Sequence, residues 1–298
     1  MTALTKTAST EIALTDDISD EALARLTGQA SSGDQDRLPR ARINLLHDDD
    51  QGNTYPAGTF AVTVDGREVF SKTATFRVYY RGFQYQHYLD KKNDPEGKGR
   101  YVNQSIIIPD IFMEAPDEKG GMKCGKLTAK QKKQGMTPEQ EALQNQLKCV
   151  QLLYGTISFP KGGVTAGRID NEDAVEKVDN VTEIPCVFKL PQSSFMAVSE
   201  AIEGLQKAGK AMQKYPLSFS LKRAQNGTTT YYKIEPSVDT LKPSPFDIEL
   251  LKQFLAQVKH INDRILEKHN AALNGEETDQ DKEDQKTFDP DLDDEIPF

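Results

Sequence analysis

Between Leu38 and Ile234 the apolar positions mostly alternate with polar ones, the period of a half-buried strand. Ala41 to His47 predicts a first strand, followed by the turn-rich Asp48-Asp49-Asp50-Gln51-Gly52-Asn53. Phe60, Val62 and Val64 alternate with polar neighbours, Asp65-Gly66 offers a tight turn, and Val69-Phe70 returns. Further strands are expected at about 73–85, 101–108, 150–159 and 182–190. Leu217, Phe219 and Leu221 alternate, Asn226-Gly227 turns, and Tyr231 to Ile234 returns, the strongest hairpin signal in the chain.

Helical spacing appears in fewer places. Thr137-Pro138-Glu139-Gln140 has the form of a helix start, with Leu143 and Leu147 on its apolar face. Phe195, Val198, Ile202 and Leu205 carry a second helical stripe. Ser244-Pro245-Phe246-Asp247 opens a long helix whose stripe is Phe246, Leu250, Phe254, Val258, Ile261 and Ile265, and Asn274-Gly275 ends it. Strands with helices between and after them predict a β-rich α+β fold: an OB-like barrel with inserted helices, a long C-terminal helix and disordered acidic ends. The expected division is a flexible segment 1–36 with at most a short helix near Asp20–Leu26, a core 37–243, a helix 244–274 and a tail 275–298. The helix stripe fits packing on its own barrel or on a second copy, so a homodimer is open.

Charge changes this picture. The 298 residues carry 37 Lys and Arg against 46 Asp and Glu, a net −9. The tail alone holds eleven acids and two lysines, and residues 1–36 hold seven acids and two bases, so residues 37–274 are net +5. A mildly basic body between acidic ends is compatible with a nucleic-acid partner, which the overall pI conceals. No apolar run is long enough to span a bilayer, and Met1 to Asp17 lacks a signal-peptide pattern, so no membrane association and a cytoplasmic location are expected (the host cytoplasm if the protein is viral). Cys124, Cys149 and Cys186 are odd in number and widely spaced, which argues against a disulfide framework.

The stretch from Phe76 to Tyr88 holds six aromatics and two arginines in thirteen residues. Strict alternation would put Arg77, Tyr79, Arg81 and Phe83 on one face and Phe76, Val78 and Tyr80 on the other. The first set is what a single-strand surface needs, since guanidinium groups meet phosphates and rings stack on bases whatever the sequence. Ordinary strand residues in a β-rich core would account for the aromatics equally well, but a core face does not alternate Arg with Tyr. Tyr85, Tyr88, Lys91, Lys92 and Arg100 extend the candidate DNA-binding set. A lysine-rich insertion at about 117–136 adds Lys119, Lys123, Lys126, Lys130, Lys132 and Lys133, six cations in fifteen residues without an acid.

Catalytic patterns are weak. Gly120-Gly121-Met122-Lys123-Cys124-Gly125-Lys126 fits a phosphate loop, but Leu127 stands where Ser or Thr would hold Mg²⁺, and no hydrophobic strand precedes it. The three cysteines with His87 lack the close-paired spacing of a zinc site. The four histidines form no metalloprotease pattern, and Asp48-Asp49-Asp50 suits a turn better than a cation site. No enzyme, cofactor or metal is therefore expected.

The final residues, Asp293-Asp294-Glu295-Ile296-Pro297-Phe298, join acids to an apolar end and an α-carboxylate, which suits capture in a basic-rimmed partner pocket. This ending resembles the acidic tip of bacterial single-stranded DNA-binding proteins, a run of Asp followed by Ile-Pro-Phe, departing only in Glu295. In organisation, with a lysine-rich insertion and a long terminal helix, the chain is more similar to the single-stranded DNA-binding proteins of tailed phages. That resemblance implies an OB-fold core that binds the strand. It also implies a tail, here Asp293 to Phe298, that recruits replication proteins such as polymerase, helicase or primase and competes with DNA. The expected function is sequence-independent single-stranded DNA binding in phage replication, recombination and repair. The rival is a scaffolding protein with acidic ends and no affinity for nucleic acid.

Overall fold

The computed structural model describes residues 38–44, 47–48, 53–55, 57–64, 66–89, 94, 100–111, 113, 115–120, 147–165, 167–168, 176–179, 181–227, 229–238 and 243–275. Residues 1–36, the helix expected at Thr137, Cys124 and the acidic tail lie outside them. The described residues from Pro39 onward belong to one unit.

The alternating segments become strands. In chain order they are β1 (Arg40–Asn44), β2 (His47–Asp48), β3 (Asn53–Tyr55), β4 (Thr59–Val64), β5 (Arg67–Ser71), β6 (Thr73–Leu89) and β7 (Arg100–Gln104). There follow β8 (Leu147–Phe159), β9 (Gly163–Thr165), β10 (Gly167–Arg168), β11 (Lys177–Val178), β12 (Val181–Leu190), β13 (Leu217–Asn226) and β14 (Thr229–Ser237). Two helices are described, α1 (Gln192–Lys207) and α2 (Ile248–Asn274). Asp247 caps α2 by accepting from the Glu249 and Leu250 amides, and Gly275 ends it at φ 71°.

The main sheet runs β11-β9-β5-β4-β1-β12-β8-β6-β13-β14, with β7 on the free part of the β6 edge. All described pairings are antiparallel except β1 with β12. β2, β3 and β10 form a small separate sheet. The β-rich α+β expectation holds. The OB-like barrel is not what the hydrogen bonding describes, because the strand path is open and its ends do not pair.

The sheet nevertheless curls. β4 and β13 lie five strands apart, roughly 24 Å in a flat sheet. Yet the rings of Phe60 and Phe219 stack with centroids 6.2 Å apart. Phe76 and Phe188 complete this aromatic centre, at 5.9 Å from Phe219 and 6.2 Å from Phe60 respectively. Val198, Ile202 and Leu205 of α1 close the same core, so α1 covers the inner face. Helix α2 covers part of the outer face. Its Phe254 ring meets Tyr79 at 5.4 Å and Tyr154 at 6.3 Å, and Asn262 clamps the Ile107 backbone by accepting from N–H at 2.7 Å and donating to C=O at 2.9 Å. The α2 stripe is thus used on this chain's own sheet.

Candidate functional site

The strand that carries the expected site is bulged, and the bulge rearranges it. Along β6, Arg77 pairs with Thr156 and Val78 with Gly155, but Tyr80 pairs with Tyr154, leaving Tyr79 as the extra residue. Opposed residues share a face, so Arg77 lies with Thr156 while Arg81, opposite Leu153, lies on the other side. Strict alternation therefore fails at Tyr79, and Arg77, Tyr79, Arg81 and Phe83 do not form one face.

Nor are they wet. Arg77 is 9% exposed, with Nε and Nη2 both donating to Glu183 Oε1 (3.0 and 2.8 Å) and Nη1 donating to Gln213 O and Ser244 Oγ. Four of its five N–H donors are occupied within the protein, which leaves little for a phosphate. Tyr79 is 2% exposed against Phe246 and Phe254, and its hydroxyl accepts from the Asp247 N–H at the start of α2. Arg81 turns inward beneath α1. Its Nη2 donates to Ser199 Oγ at 2.7 Å, and Glu203 lies 3.9 Å away. Because a guanidinium can only donate, the Gln151 amide turns its oxygen to Arg81 Nε at 2.9 Å. Burial pulls the Arg81 pKa below its ordinary value, with Glu203 opposing. Phe83 is 5% exposed below that guanidinium, against Phe195. Tyr85 is 4% exposed and donates to Ile111 O at 2.6 Å. Arg77, Tyr79, Arg81, Phe83 and Tyr85 hold the helices and loops on the sheet.

The remaining expected residues divide. Lys119 is exposed. Arg100 is half-buried, its Nε 3.2 Å from the fully buried Asp94 carboxylate. Lys91, Lys92, Lys123, Lys126, Lys130, Lys132 and Lys133 lie outside the described residues, as do Asp293, Asp294, Glu295, Ile296, Pro297 and Phe298. Tyr88 is different, because it sits in a cluster that strand alternation did not reveal.

On the outer face, Tyr88 and Tyr101 oppose each other across β6 and β7 in an edge-to-face contact of 5.1 Å. The Lys148 ammonium lies 4.1 Å from the Tyr88 ring centroid, and the Lys189 ammonium 4.5 Å from that of Tyr101. Lys189 also donates to the Tyr101 hydroxyl at 3.2 Å. Its neighbours Phe188 and Leu190 point into the core, which fixes Lys189 on the outer side. Arg40 flanks this face, exposed and in register with Val187, which in turn opposes Tyr154. Burial, with Tyr80 adding, pushes the Tyr154 phenol well above its ordinary value and Arg40 partly offsets this; burial alone raises Tyr80. Both phenols therefore stay neutral across the ordinary pH range.

Arg40, Tyr101, Lys148 and Lys189 were missed for identifiable reasons. Lys148 fell between Leu147, expected on a helix face but part of β8, and the strand expected from Val150. The one available signal was the alternation Lys148, Val150, Leu152, Tyr154, and likewise a lysine between Phe188 and Leu190.

Among the described residues no group of His, Cys, Asp and Glu could hold a metal ion, and no helix is long and apolar enough to cross a membrane. Among the described residues Cys149 and Cys186 form no disulfide, and burial raises the Cys186 pKa. No family model matches the chain, and no curated protein or solved structure matches it.

Proposed function

We propose that the protein binds single-stranded DNA without sequence preference and acts in DNA replication, recombination and repair. In this reading the outer face of the curled sheet serves as an OB-like platform, and the acidic tail recruits replication proteins. The observation that carries it is the pairing of two tyrosine rings with two ammonium groups on one half-buried sheet face. Those ring faces are where bases would stack. An ammonium over an exposed ring is worth roughly 0.5–1 kcal/mol, whereas a stacked base is worth roughly 1–3 kcal/mol. The exchange favours the base, and each displaced lysine becomes free to meet a phosphate. The buried Arg77–Phe83 set plays no part in this reading, which rests instead on Tyr88, Tyr101, Lys148, Lys189 and Arg40.

Anisotropy of a labelled oligo-dT tests the reading. The three cations of this face, Arg40, Lys148 and Lys189, on phosphates predict a log–log salt slope of about −2, steeper if the lysine-rich insertion contributes. Lys189→Ala should flatten the slope by about 0.7. A protein that shows no salt-dependent affinity for the oligonucleotide is instead the scaffolding protein of the rival reading.

A further inference from the structure

Beside this cluster runs a chain of amides whose polarity is fixed by chemistry. Gln104 Nε2 donates to Glu118 Oε1 at 3.0 Å, Gln84 Nε2 donates to Gln104 Oε1 at 3.4 Å, and Gln86 Nε2 donates to Gln84 Oε1 at 3.1 Å. Amide oxygen and nitrogen are ordinarily interchangeable in assignment, but two groups here can only accept. Glu118, with Lys268 3.7 Å away, anchors the far end as a carboxylate. The Ser105 carbonyl independently takes Gln84 Nε2 at 2.9 Å. The direction of every amide follows, and the last one, Gln86, is left presenting its oxygen. Gln86 Oε1 is shielded from solvent and has no hydrogen-bond partner among the described residues. A shielded acceptor in that condition is destabilising, and a donor that reached it would relieve the cost.

The orphan lies in the candidate site. Gln86 is two residues from Tyr88 on the same strand, hence on the same face, and directly opposes Lys148 across the ladder. Lys148 is the residue whose ammonium covers the Tyr88 ring.

The geometry points to Gln86 as a reader of the pairing edge of an unpaired base, an inference that rests on the nucleic-acid reading of this face. A base that replaces the Lys148 ammonium on Tyr88 brings its edge to Gln86 Oε1, which accepts an N–H from it. Each of the four bases has an N–H donor on its pairing edge: the thymine imino group, the guanine imino and amino groups, and the adenine and cytosine amino groups. In a duplex those donors are consumed by pairing. One acceptor of fixed orientation therefore favours unpaired strands while tolerating any sequence, and adds to the preference that base stacking already gives.

The test compares oligo-dT with the same strand carrying N3-methylthymine at every base, which keeps the ring and removes the donor. The full chain should bind the methylated strand about three- to tenfold more weakly, the worth of one hydrogen bond. Gln86→Leu should bind both strands equally. Gln86→Met serves the same purpose if the leucine variant does not fold, and Tyr88→Ala, which removes the ring that positions the base, should weaken binding and shrink the difference between the strands. Equal binding of both strands by the unaltered protein overturns the inference, as does a preference that survives in Gln86→Leu or Gln86→Met. Failure to bind either strand overturns the nucleic-acid reading itself.

Discussion

At the scale of single residues, arginine position alone says little until its donors are counted. Arg77 gives four hydrogen bonds to three residues, Glu183, Gln213 and Ser244, which come from three separate parts of the chain. Glu183 takes its share from a left-handed backbone at φ 49°, a conformation ordinarily left to glycine or asparagine. The Arg77 side chain is 10% exposed while that of Glu183 is 52% exposed. Truncating the arginine therefore leaves a carboxylate that water can reach, although Gln213 O and Ser244 Oγ lose their donor. Arg77→Ala should cost about 2–4 kcal/mol of folding stability, below the most severe buried-pair deletions. Denaturant titration measures this, and oligonucleotide affinity of the folded fraction should stay unchanged. A variant of full stability and lost affinity would return Arg77 to the binding surface.

At the scale of elements, the bulge in β6 governs what faces where. It brings the Arg77 carbonyl against Gly155 so closely that a Cβ there would collide with it, and with the Phe76 ring. The glycine in the middle of β8 is thus a consequence of the bulge opposite. Gly155→Ala must push backbone apart at the centre of the sheet and should destabilise by at least about 2 kcal/mol, seen as a lowered denaturant midpoint. A neutral substitution would mean the bulge can relax. Most elements were legible in the sequence, because period and turn chemistry agree: Asp65-Gly66 and Asn226-Gly227 sit at hairpins, with φ 76° at Gly66 and 59° at Gly227. The bulge was not legible. Tyr79 and Tyr80 are adjacent aromatics that fit either face of a strand, and only the pairing with Tyr154 and Gly155 decides between them. One inserted residue then moved Arg81, Phe83 and Tyr85 to the inner face, where α1 covers Arg81 and Phe83 and the Tyr85 hydroxyl bonds Ile111 O.

At the scale of the whole molecule, charge separation remains the feature the sequence states most plainly, with −9 in residues 275–298 and +5 in residues 37–274. If the tail competes with DNA for the body, deleting 289–298 should tighten oligonucleotide binding at low salt, and the gain should fade as the Debye length shortens. Equal affinity of the two chains at low salt would remove that competition. The candidate surface was less legible than the charge, because Tyr88, Tyr101, Lys148 and Lys189 come from four strands scattered over about a hundred positions. Their assembly depends on β12-β8-β6-β7 neighbourhood, which no local pattern encodes. The measurement that bears most directly on the account is photo-cross-linking of an oligonucleotide carrying 5-iododeoxyuridine, with the attached residues mapped by mass spectrometry. The account predicts cross-links at Tyr88 and Tyr101. Cross-links confined to other tyrosines, such as Tyr231 on the β13–β14 hairpin, or none at all with strand bound, would contradict it.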